Sequence, residues 1–168
     1  MHVIYNLAFL LAGWCFGDWR NFNKYYPTIL YLMVGDLLYN FLNADKLLWR
    51  YHGNIPPNHT LITILIMIVS YSATVLIYLS RFPKTRGKQI LWICFWIVLY
   101  GGIECINEKI GLISHHYGWN MWWSLLLDVM LFLMLLLHYK KPLLAWGLSV
   151  PLTLFWWFLF GVPVEKMK

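Results

Sequence analysis

The chain has 168 residues, of which 61% are hydrophobic, 19% aromatic and only 12% charged. Soluble domains carry about 25% charged residues, so this composition excludes a water-exposed globular fold and calls for a lipid solvent. The net charge of +6 lies in short loops between apolar runs, which excludes a nucleic-acid reader and fits contact with anionic headgroups.

At roughly 20 apolar residues per crossing, the length accommodates five or six helices and no separate soluble domain. The reading is a single transmembrane domain over residues 1–168, an all-α polytopic helix bundle. Six spans are expected at about 2–17, 27–42, 60–79, 89–106, 120–138 and 142–160, or five if the second does not cross. The first has no cationic leader and no small-residue cleavage site, so it reads as a retained helix. It and the second are short, since 16 residues rise only about 24 Å.

The second span opens on Pro27 and carries Asp36, with Asn40 four residues on and therefore on the same face. The third is free of acidic and basic residues. Span four has the Gly101-Gly102 pair, which permits close approach of a neighbouring helix, followed by Glu104, Asn107 and Glu108. Along span five, Asn120, Ser124 and Asp128 recur every four residues and form a polar stripe. In span six, Pro151 is expected to kink the helix and free the carbonyl of Gly147.

Orientation follows from the basic loops. Arg20, Lys24, Arg81, Lys84, Arg86, Lys88, Lys140 and Lys141 fall on one side; Lys46, Arg50, Lys109, Lys166 and Lys168 fall on the other. The richer side reads as cytoplasmic, which places both termini outside.

Asp36 and Asp128 each lie about nine residues, roughly 14 Å, from a span end. An ionisable side chain at that depth is costly and turns toward a bundle interior or a water-filled path. If spans two and five are neighbours, the two carboxyls meet and share a proton. Asn40, Glu104, Asn107, Glu108, Asn120 and Ser124 then describe an outward-facing vestibule narrowing toward the aspartates.

Metal chemistry has weaker support. His115 and His116 are metal candidates beside Glu104 and Glu108, but adjacent loop histidines point apart and no H-x-x-x-H spacing exists. Cys15, Cys94 and Cys105 show no metal or redox spacing, and no serine has a G-x-S-x-G context. The residues call for no cofactor and no catalytic group.

Two stretches, FGDWRNFNKYYPTILYLMVGDLLYN and GLISHHYGWNMWWSLLLDVMLFLMLLLHYKKPLLAWGLS, resemble a family of small polytopic membrane proteins from spore-forming Gram-positive bacteria. The landmarks are Gly17-Asp18-Trp19-Arg20, Gly35-Asp36, the Glu104 region, Gly118-Trp119-Asn120, and Leu137-His138-Tyr139 with Pro142. The resemblance implies about six helices and a bacterial plasma-membrane or spore-membrane setting. It implies no reaction and no ligand residue.

Three functions compete on this reading. The first is a pathway for protons, a cation or a small polar solute through the polar cavity. The second is a structural or accessory subunit, with membrane lipids, a membrane protein or further copies of the chain as partners. The third is an intramembrane enzyme acting on a lipid, with Glu104, Glu108, His115 and His116 as its reactive cluster.

Overall fold

The structure is a computed structural model and describes residues 2–53 and 55–161. The described residues form six helices: α1 His2–Phe16, α2 Phe22–Leu42, α3 His59–Ser80, α4 Arg86–Lys109, α5 Met121–Lys140 and α6 Pro142–Leu159. Among them α3, α4, α5 and α6 are long and apolar enough to cross a membrane. The 15 residues of α1 are apolar but rise only about 22 Å. The 21 residues of α2 rise about 31 Å, while Lys24, Asp36 and Asn40 dilute its apolar character.

Helix α2 does not begin at Pro27, as the sequence reading has it, but at Phe22. Asp18 organises this start: its carboxylate accepts from Asn21 Nδ2 at 2.9 Å and from the Tyr25 hydroxyl at 3.3 Å. Pro27 then falls in the second turn, where its missing N–H leaves only one carbonyl, that of Asn23, without its usual helical donor. Pro151 likewise lies inside α6, which continues through it as one helix.

The helices alternate in direction. At one end His2 Nε2 donates to the His52 carbonyl at 2.8 Å. At the same end Lys46 Nζ donates to the carbonyls of Phe160 and Gly161 at 2.8 and 2.7 Å, a cation set on the C-terminus of α6. At the other end Arg81 Nε donates to the Phe16 carbonyl at 2.8 Å, and Tyr25 stacks on Tyr139. Both ends of the described chain thus share one face of the bundle; Glu165, Lys166 and Lys168 lie outside the described residues.

The bundle is helical, as expected, with two local features added. The α2–α3 and α4–α5 loops pair as a short antiparallel sheet, β1 Trp49–Tyr51 with β2 Ile113–His115, in the register Trp49 to His115 and Tyr51 to Ile113. Aromatic and β-branched residues suit a half-buried strand. Strands of three residues joined across distant loops leave no periodicity to read. Within α3, residues Ile66–Tyr71 are wound as a π-helix, a form often found beside functional sites.

The packed core fills the half of the bundle opposite the sheet. Ile29, Val75, Leu76, Tyr78, Trp96, Phe132, Leu135 and Ala145 are all buried there. The Tyr78 hydroxyl stays satisfied by donating to the Phe132 carbonyl at 3.0 Å. Helices α1 and α3 touch through Gly13, where an added Cβ would lie 2.8 Å from the Ala73 Cβ and 3.2 Å from its Cα. Gly101 is similarly crowded by Leu125, whereas Gly102 has nothing within 4 Å. Only the first glycine of that pair makes the close approach.

Gly13→Ala should therefore destabilise the protein by about 1–3 kcal/mol, while Gly102→Ala stays within about 0.5 kcal/mol of wild type. Denaturant titration in detergent measures both.

Candidate functional site

Between the sheet and the packed core lies a cavity of about 450 Å³, to which all six helices contribute wall. Its wall is largely apolar and aromatic, and each helix adds a few small or polar side chains to it. Tyr5 and Asn6 face it from α1, Gly35 and Asp36 from α2, Ser70 and Tyr71 from the π-helical turn of α3. Tyr100, Glu104 and Asn107 come from α4, Ser124 and Asp128 from α5, and Ser149 and Trp156 from α6. A Cβ added to Gly35, an exposed position at the edge of the cavity, would meet nothing within 4 Å. Trp49, Tyr51 and Ile113 of the sheet line the end away from the core, while Arg50, between Trp49 and Tyr51 in the strand alternation, is exposed.

The two mid-helix aspartates both line this cavity, and each retains an oxygen without a partner. Asp128 is 8% exposed, and its Oδ2 makes no hydrogen bond. The Tyr71 hydroxyl donates weakly to Asp36 Oδ1 at 3.5 Å, and Asp36 Oδ2 is buried and unpaired. Helices α2 and α5 are neighbours, as required. No hydrogen bond joins the two carboxyls, however, so the shared proton expected from the sequence has no geometry here.

Glu104 is the joint of the upper wall. Its Oε1 accepts from Ser124 Oγ and from His115 Nε2, the latter at 2.7 Å, linking α4, α5 and β2. Ser124 in turn accepts from Trp119 Nε1 at 2.8 Å. The serine donates to the carboxylate and not to the imidazole, so the Ser–His–acid order of a hydrolase triad is not formed here. His115 Nδ1 lies 3.2 Å from Glu108 Oε1, and His116 turns away to Ser114 Oγ at 2.8 Å. Among the described residues no group of three His, Cys, Asp or Glu is arranged to hold a metal.

The remaining sequence candidates divide. Asn107 is buried on the cavity wall with its Oδ1 unpaired. Glu108 is exposed at the end of α4 and outside the cavity. Asn120 is also outside: it caps α5, its Oδ1 accepting from the amides of Trp122 and Trp123 at 3.0 and 3.4 Å. The stripe therefore begins at Ser124.

Asn40 shares a helix face with Asp36 but is engaged elsewhere. Its Nδ2 donates to the Asp36 carbonyl at 2.8 Å, and its Oδ1 accepts from His59 Nε2 at 2.9 Å. His59 Nδ1 accepts from the Tyr51 amide at 3.0 Å, which fixes the proton on Nε2. Asn40 is a brace between α2, α3 and the sheet.

Several wall residues escape the sequence reading. Ser70 Oγ donates to Asn6 Oδ1 at 2.9 Å, and Asn6 Nδ2 to the His2 carbonyl at 2.9 Å, holding α1 against α3. Tyr100 and Thr74 share a 2.7 Å hydrogen bond. Burial raises the Tyr51 phenol well above its ordinary pKa, with the charges of Asp36 and Glu104 adding to the effect. It is a neutral hydroxyl at any physiological pH. The tyrosines at mid-span were the available signal, because a buried phenol needs a partner.

The sequence matches no protein-family model, no curated protein and no solved structure.

Glu104→Ala, which strands Ser124 and His115, should cost about 3 kcal/mol. Asp128→Asn should leave stability within about 0.5 kcal/mol or raise it, because the carboxylate has no partner to lose. Denaturation midpoints of the two variants check this contrast, and a large loss in Asp128→Asn would reveal a structural role.

Proposed function

We propose that the protein is a polytopic membrane protein with six spans, in which the cavity is the binding chamber of a pathway for protons, a cation or a small polar solute. The observation that carries this reading is the cavity itself, with two carboxyls from different helices in its wall, each holding a buried oxygen that no neighbour satisfies. A carboxyl without a partner at membrane depth is a standing cost to the fold. Such a cost is retained where a mobile charge meets the group.

Counting α1 and α2 as crossings follows from the alternation of helix direction and from the extension of α2 back to Phe22. The distribution of basic residues places the sheet end outside, with both termini, and the Arg81–Lys88 loop in the cytoplasm. The resemblance in sequence supports a bacterial plasma membrane or spore membrane as the setting. In this orientation the sheet covers the outer end of the chamber, and the apolar core around Tyr78, Trp96 and Phe132 closes it from the cytoplasm. A pathway then needs the sheet end and the core to part in turn, so the reading is of a chamber accessible from one side at a time.

Proteoliposomes test it. Wild-type protein should dissipate an imposed proton or potassium gradient, followed with an internal pH or potassium dye, and Asp36→Asn and Asp128→Asn should each slow the flux at least tenfold. Wild-type vesicles as tight as protein-free ones contradict the reading.

A further inference from the structure

The occupant of the chamber has a chemistry legible from its wall. Among the described residues the wall carries three acidic side chains, Asp36, Glu104 and Asp128, and no Lys or Arg. Its one histidine, His2, is committed to the His52 carbonyl. Glu104 is occupied by Ser124 and His115, which leaves Asp36 and Asp128 as the unsatisfied acids. With acids as its only uncommitted ionisable groups, the chamber can match the charge of a cation and offers an anion nothing.

The rest of the wall decides which kind. A small divalent ion needs several oxygen ligands converging within about 2.0–2.6 Å, and no three acidic, histidine or cysteine groups converge among the described residues. A strongly hydrated monovalent ion needs polar walls to replace its water. Here the surfaces between the two aspartates are mostly apolar and aromatic, including Tyr71, Tyr100, Trp146 and Trp156. Aromatic faces favour weakly hydrated cations, whose charge the ring quadrupole attracts and whose alkyl groups the ring also accepts. At about 450 Å³, the chamber falls in the range that holds small organic molecules.

The geometry points to a monovalent organic cation, a protonated amine or quaternary ammonium with an apolar body, seated on the aromatic wall with its charge against Asp128 or Asp36. This assignment rests on the chamber reading above and specifies its substrate class.

Choline and 3,3-dimethylbutan-1-ol, its uncharged carbon isostere, differ in the charge alone and are both water-soluble. The purified full chain in nonionic detergent is titrated with each, following tryptophan fluorescence. The expected result is a saturable response to choline, a response to the alcohol at least tenfold weaker, and at least tenfold loss of choline affinity in Asp128→Asn. No saturable response to choline, or equal affinity for the two compounds, overturns the assignment. If Asp128→Asn does not fold, the comparison on the wild-type chain decides by itself. Choline binding without any flux in proteoliposomes upholds the occupant and removes the pathway; proton or potassium flux without choline binding does the reverse.

Discussion

Everything distinctive in this fold follows from the expense of an ionisable group in hydrocarbon. A bundle of this composition has no difficulty burying apolar surface, because almost any face can meet lipid or another helix. Asp36 and Asp128 remove that freedom. Each must be turned inward, which fixes the rotation of α2 and α5 about their axes and sets every neighbouring contact. The chamber lies where these inward faces meet, with Ser70, Ser124 and Ser149 beside the two aspartates on its wall.

The half of the bundle beyond the chamber is built on the opposite rule. Tyr78 packs edge to face on Trp96 and Phe132, which tilt against each other, with ring centroids 5.2 to 6.2 Å apart. The Tyr78 phenol finds a backbone carbonyl, while the Trp96 N–H has no partner. Between dry core and sheet, the hydrogen bonds of Glu104, Asn40 and Asn6 tie neighbouring elements to one another. The sheet closes the assembly by stacking Trp49 on Tyr39 at 4.2 Å and setting it at a tilt against Trp119 at 5.1 Å. These braces are polar and hydrogen-bonded, whereas Asp36, Asp128 and Asn107 on the chamber wall each keep a buried oxygen without a partner.

How much of this was legible in the sequence depended on the range of the interaction. Helix number and rough placement follow from apolar runs, and the inward turn of Asp36 and Asp128 follows from depth alone. Ser124 and Asp128 share a wall because four-residue spacing is a property of one helix. The same spacing misplaced Asn120, which sits one residue before α5 and serves as its cap, and Asn40, which a histidine from the next helix captures. His59, the π-wound turn and the paired strands at Trp49 and Ile113 depend on partners distant in the chain, and no local pattern encodes them. His116 was grouped with Glu104, Glu108 and His115 by proximity in sequence, but the strand alternation turns it to Ser114, while Glu108 stays beside His115 from outside the chamber.

The central claim is that the aspartates border an open, water-reachable chamber and not a dry polar seam. Cysteine accessibility measures this most directly. In a chain with Cys15, Cys94 and Cys105 replaced by serine, Gly35→Cys beside Asp36 and Thr153→Cys on the opposite wall are exposed to a charged, membrane-impermeant thiosulfonate in proteoliposomes. Val98→Cys, on an exposed apolar face of α4, is the lipid-facing control. The account predicts rapid labelling of the first two from one side of the membrane and none of the control. Thiols at 35 and 153 as inert as the one at 98 would contradict it.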